Sequence, residues 1–169
     1  GINAQEKDWA NLQRYAQQNA ELPKPDKNEK RVVFMGNSIT EGWVNTHPDF
    51  FKSNGYIGRG IGGQTSYQFL VRFREDVINL SPALVVINAA TNDIAENTGA
   101  YHEDRTFGNI VSMVELAKAN HIKVILTTTL PAAAFGWNPA IKDAPQKIAS
   151  LNARLKAYAQ TNKIPFVDY

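Results

Sequence analysis

"VVFMGNSITEGW", residues 32–43, runs four apolar residues into Gly36, Asn37 and Ser38 and then into a helix-like stretch opened by Thr40 and Glu41. A strand that turns directly into a helix is the repeating unit of an open α/β sheet, and such sheets place their ligands beyond the carboxyl ends of the strands. A serine at that point is a candidate nucleophile, provided that a base can reach it. Taken alone, it also reads as a helix N-cap, a position that serine suits well.

Working outward, the same unit recurs. Short runs rich in Val and Ile stand at "RVVFMG" (31–36), "YIGRGI" (56–61), "ALVVINA" (83–89), "IKVILTTT" (122–129) and "IPFVDY" (164–169), several of them apolar on both faces as in a buried parallel sheet. Between them Phe69, Leu70, Phe73 and Val77 form one helical stripe, Phe107, Ile110, Val111, Val114 and Ala117 a second, and Ile148, Leu151, Leu155 and Tyr158 a third. With right-handed crossovers this alternation predicts a flavodoxin-like three-layer α/β/α sandwich around a central parallel sheet of about five strands. Ahead of it, Trp9, Leu12, Tyr15, Ala16 and Ala20 lie at helical spacing over residues 5–20, and "LPKPDKNEK" reads as a connector. Residues 1–169 are thus expected to form a single domain, with a helix and connector over 1–30 and the regular core beyond.

The chain has 169 residues, 43% of them apolar and 20% charged, which is ordinary for one globular domain. Eighteen basic residues against sixteen acidic ones, with no basic block interleaved with aromatics, argue against nucleic acid as a partner. The absence of cysteine removes any disulfide framework, thiolate nucleophile or thiolate metal site. No apolar run approaches the roughly 18 to 20 residues that a membrane span requires. The start, "GINAQEKDWANLQRYAQQ", has neither an initiator methionine nor a signal-peptide core. The chain therefore reads as processed, and a periplasmic or secreted location with the signal already removed is the expectation.

Three loops fall on one sheet edge: "GNSIT" after the first strand, "RGIGGQTS" after the second and "NAATNDIAENTG" after the third. Each has a bland reading of its own, as a cap, a tight connection or an Asx turn. Their convergence suits acyl transfer, which needs an attacking oxygen and preorganised donors around a developing oxyanion. Ser38 would attack, and the amides of Ser38 and Gly63 with the side chain of Asn92 would be the donors. In these blocks the sequence resembles the SGNH or GDSL-like hydrolases over roughly residues 31–169. "GNSIT" is similar to the family's nucleophile block, "RGIGGQTS" to the block of its oxyanion glycine, and "ATND" to that of its oxyanion asparagine. The resemblance implies catalytic roles for Ser38, Gly63 and Asn92, and a serine esterase or acylhydrolase that cleaves O-acyl esters, acetyl among them, of a carbohydrate or other small molecule. The three histidines are scattered, with no His-x-x-x-His or His-Glu-x-x-His pair, so no metal is implied, and no cofactor is expected. Asn37 stands where aspartate is usual, Ala90 where glycine is usual, and Gln64 where aspartate is common.

The family's last block, Asp-x-x-His, is absent from these 169 residues. His121 precedes a strand, at the edge away from Ser38; His47 reads as a surface-loop residue; His102 heads an acidic first helical turn. The expectation is therefore that the chain is a fragment, its Asp and His supplied by a missing carboxyl-terminal segment or a companion chain. Trp43, Phe135 and Trp137 are candidates to line an acyl or sugar pocket. "GRGIGG" (58–63) also fits a dinucleotide-binding loop, but the strand before it is short and the acids nearby, Glu75 and Asp76, lie in a helical stretch. The alternative function is a non-catalytic relative that binds a carbohydrate or ester in the same pocket.

Overall fold

All five strands of the central sheet run parallel, in the order β2-β1-β3-β4-β5. The structure is a computed structural model and describes residues 7–129 and 143–168. The strands are β1 (Val32–Met35), β2 (Tyr56–Gly58), β3 (Leu84–Ile87), β4 (Lys123–Thr127) and β5 (Phe166–Val167), each inside one of the apolar runs. Helices α1 (Gln13–Glu21), α2 (Ser38–Thr46), α3 (Pro48–Ser53), α4 (Ser66–Asp76), α5 (Thr91–Ile94), α6 (Glu103–Ala119) and α7 (Ala144–Thr161) lie around it, an α/β/α arrangement of the expected kind.

In register, Val33 lies beside Val85 and Val85 beside Val124, while Met35, Ile87 and Leu126 form the next row. All six are buried, and they share one core with Phe69 and Phe73 of α4, Ile110, Met113 and Val114 of α6, and Leu151 and Leu155 of α7. The three helical stripes are this packing seen from the sequence. On the opposite face Val32, Phe34, Leu84, Val86 and Ile125 are half-buried. There α2 and α3 bring Trp43 and Phe51 edge-on to Phe34, with ring centroids at 5.9 and 5.4 Å.

The amino-terminal helix differs more. It begins at Gln13 rather than near residue 5, because the Asp8 carboxylate accepts from the amides of Leu12 and Gln13 at 2.9 Å and Asn11 adopts a left-handed turn, φ 56°. Those bonds satisfy helix-end donors and fix the start. Of its apolar stripe Tyr15 is buried, whereas Trp9 is exposed. The segment also packs on α4 rather than preceding the core as a separate piece.

Candidate active site

Strand β1 ends at Met35, and the chain turns through Gly36 into α2. The N-cap of α2 is Asn37, whose side-chain oxygen accepts from the Ile39 amide at 3.2 Å. Ser38 is thus the first helical residue and not the cap, and it is exposed. An amide-bearing side chain caps as well as a carboxylate does, which gives Asn37 a physical role where aspartate is usual. Ser38 sits at the positive end of α2, where developing negative charge is favoured.

The loop after β2 folds back over this helix end. The Ile61 amide donates to the Gly36 carbonyl at 3.0 Å, extending the parallel pairing beyond β2. A Cβ on Gly60 would lie 2.6 Å from the Glu41 nitrogen and 2.8 Å from the Asn37 oxygen, so no side chain fits between loop and helix. Close packing on α2 therefore accounts for the glycine spacing that resembles a dinucleotide fingerprint. Gly62 and Gly63 are exposed, and Gly63 has φ +79°. A Cβ on Gly62 would stand 3.5 Å from the Ser38 Cβ, which puts the loop tip beside the serine. Both ends of the tip are tied: the Gly62 amide donates to Glu41 Oε1 at 3.2 Å, and the Gly63 carbonyl accepts from Asn97 Nδ2 at 2.8 Å.

Asn92, on the short buried α5, donates through Nδ2 to the Gln64 carbonyl at 3.0 Å. The structure thus brings Ser38, Gly63 and Asn92 to one edge of the sheet, with Gly63 and Asn92 joined through the adjoining Gln64. Ala90, the residue just before α5, has φ 87°, a region where a side chain is strained and glycine is at ease. Ala90→Gly is accordingly expected to relieve strain and raise stability by about 1 kcal/mol, net of the added chain entropy. Thermal unfolding checks it, and a lower Tm would contradict the strain.

Asp93 points the other way and is buried. Its carboxylate accepts from the Ser66 amide at 2.7 Å, from the Ser66 hydroxyl and from the Thr106 hydroxyl at 2.9 Å, tying α5 to the starts of α4 and α6. Burial pushes the carboxyl above its ordinary value of 3.8, partly offset by the Ser66 hydrogen bonds. A folded pKa above the unfolded one gives stability that is fully present below the unfolded value and lost as pH rises through the folded one. Asp93→Asn, which can still serve all three partners, should flatten that loss. Asp93→Ala should cost about 2 to 4 kcal/mol by orphaning buried donors. Unfolding curves against pH check both, and an unchanged pH slope in Asp93→Asn would contradict the shift.

The histidines lie elsewhere. His47 closes α2 at the end away from Ser38, roughly 13 Å along a nine-residue helix, and its Nδ1 is 2.8 Å from the Thr46 hydroxyl. His121 follows α6 and precedes β4, at the amino edge of the sheet. His102 lines a hollow with Tyr67, Asp93, Tyr101 and Arg105, one that Ser38, Gly63 and Asn92 do not line. Trp43 borders an apolar cavity of about 290 Å³ with Phe34, Met35, Ile39 and Val86. Phe135 and Trp137 lie outside the described residues. Sequence reasoning missed the parts of Glu41, Asn97, Asp93 and Tyr15: Asp93 and Asn97 lie within the third loop, but the partners of all four, Gly62, Gly63, Ser66 and Gly60, are distant in sequence.

The sequence profile of the GDSL-like lipase/acylhydrolase family matches residues 34–169. Lipoprotein YqeF of Bacillus subtilis (strain 168) is 32% identical over 117 residues, 59% of this chain and 48% of that protein, so the match spans about half of the curated relative's length. Among solved structures, a Bacteroides fragilis NCTC 9343 protein assigned to the acylhydrolases is 99% identical, with a TM-score of 0.94 over 96% of this chain and 78% of that one. A GDSL-like lipase from Bacteroides thetaiotaomicron VPI-5482 is 79% identical, with a TM-score of 0.92 over 95% of this chain and 78% of that one. An acetyl xylan esterase, AlAXEase, is 25% identical, with a TM-score of 0.66 over 82% of this chain and 76% of that one.

Proposed function

The chain belongs to the GDSL-like lipase/acylhydrolase family, and from that premise we propose that it is a serine ester hydrolase with Ser38 as its nucleophile. The observation that carries the reading is the convergence at one sheet edge: an exposed serine at a helix start, an exposed glycine tip beside it, and an asparagine amide bonded to the residue after that tip. In the first step Ser38 Oγ bonds to the acyl carbon, its proton passes to a base and then to the departing alcohol. The carbonyl oxygen, negative in between, is held by the amides of Ser38 and Gly63 and by Asn92 Nδ2. Water then attacks the acyl-serine, releasing the acid and restoring the hydroxyl.

His47 closes the far end of α2, His121 lies between α6 and β4, and His102 lines a hollow that Ser38 does not, which supports a base supplied in this reading by a downstream segment or a companion chain. kcat/KM is expected to fall as an imidazole of pKa near 6.5 takes up its proton. A pH profile flat from pH 5 to pH 8, a range of about 3 units around that value, would count against a histidine base.

The proposed substrate is an O-acyl, above all O-acetyl, ester of a carbohydrate or other small molecule, a reading supported by the likeness to an acetyl xylan esterase. A periplasmic or secreted site of action is supported by the likeness to a lipoprotein, and among the described residues no helix is long and apolar enough to cross a membrane. The natural full-length protein should be assayed on acetylated sugars against p-nitrophenyl esters of rising chain length. Preference for acetyl esters is expected. Activity that climbs with chain length would replace the acetyl reading with a lipase-like one, and sugar binding without turnover would make the protein a non-catalytic relative.

A further inference from the structure

We infer that the amino-terminal segment, Trp9 to Asn19, is a positioning element for the glycine loop, acting through Tyr15 and Gln64 to hold the Gly63 amide in place; the catalytic half of this inference rests on the reading of Ser38 given above.

The loop from Gly60 to Gln64 bears Gly63 at its exposed tip, where a backbone amide is worth most if it is fixed before charge develops. Within the loop the Gln64 amide reaches back to the Ile61 carbonyl at 3.4 Å, while the Ile61 amide is held by Gly36 and the carbonyls of Gly63 and Gln64 by Asn97 and Asn92. The amino-terminal segment supplies anchors on either side of the tip. Before it, the Tyr15 hydroxyl donates to the Gly60 carbonyl at 2.6 Å in a buried bond spanning 45 positions of sequence. After it, Gln64 Nε2 donates to the Ala10 carbonyl at 2.6 Å, and Gln68 Nε2 to the Trp9 carbonyl at 2.8 Å. Beside it, Arg14 lies 3.6 Å from Glu41 Oε2, while the other oxygen of the same carboxylate accepts from the Gly62 amide.

These anchors are themselves packed and hydrogen-bonded on further sides. Tyr15 is buried, with the guanidiniums of Arg14 and Arg59 at 4.4 and 4.7 Å from its ring centroid. Arg59 Nε donates to Asn19 Oδ1 at 3.0 Å, and Asn19 Nδ2 to Asp76 at 2.7 Å. Gln64 Oε1 accepts from Arg72 Nε at 2.6 Å, and Arg72 pairs with Asp76 at 2.9 Å, both side chains fully buried. Gln64, standing where the family commonly has aspartate, thus makes a bond that a carboxylate could not: its amide donates to a backbone carbonyl of the amino-terminal segment.

Two variants of the natural full-length protein test this. Tyr15→Phe removes one hydroxyl, and Gln64→Glu keeps the Arg72 contact while losing the donor to Ala10. In both, amide hydrogen exchange over residues 60–65 is expected to quicken while α6 and α7 stay protected; unchanged exchange in that loop overturns the positioning role whatever Ser38 does. Turnover is then compared on an oxygen ester and its thiono counterpart, whose C=S sulfur draws little from oxyanion donors. kcat for the oxygen ester should fall by about tenfold with KM nearly constant, and that for the thiono ester far less. Equal losses on both esters would mark a merely structural effect and overturn the catalytic half. Ester turnover in the unaltered protein that survives Ser38→Ala would overturn the Ser38 reading, and the exchange result would stand apart from it.

Discussion

Ser38→Ala in the natural full-length protein is expected to lower kcat on an ester substrate by about 10⁴-fold or more, with KM and the unfolding temperature nearly unchanged. The kinetic loss follows from removing the oxygen that forms the acyl-enzyme, which leaves oxyanion donors with nothing to stabilise but attack by water. Stability should hold because Ser38 is exposed and the capping of α2 belongs to Asn37. Steady-state kinetics on purified variant and parent check this. Residual activity within tenfold of the parent, an interval of about 1.4 kcal/mol, would remove Ser38 from the mechanism.

Asn92→Ala is expected to lower kcat by about 10² to 10³ while KM stays within a few-fold, since its amide acts on charge that exists only in the transition state. The same side chain donates to the Gln64 carbonyl, so the variant should also lose about 1 kcal/mol of stability. Measuring kcat, KM and denaturant unfolding together separates the effects, because a stability loss of that size leaves the protein folded at assay temperature. A change confined to KM would make Asn92 a substrate-binding residue.

The sheet was legible because β1, β3 and β4 are short runs rich in Val, Ile and Leu, the weaker β2 and β5 keep the same β/α alternation, and each long helix shows its buried stripe. Helix α3 escaped notice because "PDFFKS" gives a six-residue helix no room to show a period, and Pro48, which looks like a break, sits at its first turn where proline is at home. The start of α1 escaped because it is set by the Asp8 carboxylate and the turn at Asn11 rather than by helical periodicity. At the candidate site, Ser38, Gly63 and Asn92 were legible as blocks of residues at strand ends. The residues that hold them were not. Tyr15 reaches Gly60 across 45 positions and Asp93 reaches Ser66 across 27, and no local pattern encodes partners that meet only in the folded chain.

The most direct test of the account is to treat the natural full-length protein with an active-site fluorophosphonate and map the modified peptide by mass spectrometry. A single adduct on Ser38, its formation slowed in Asn92→Ala, is the predicted result; an adduct on another residue, or none while the protein is turning over ester, would contradict it.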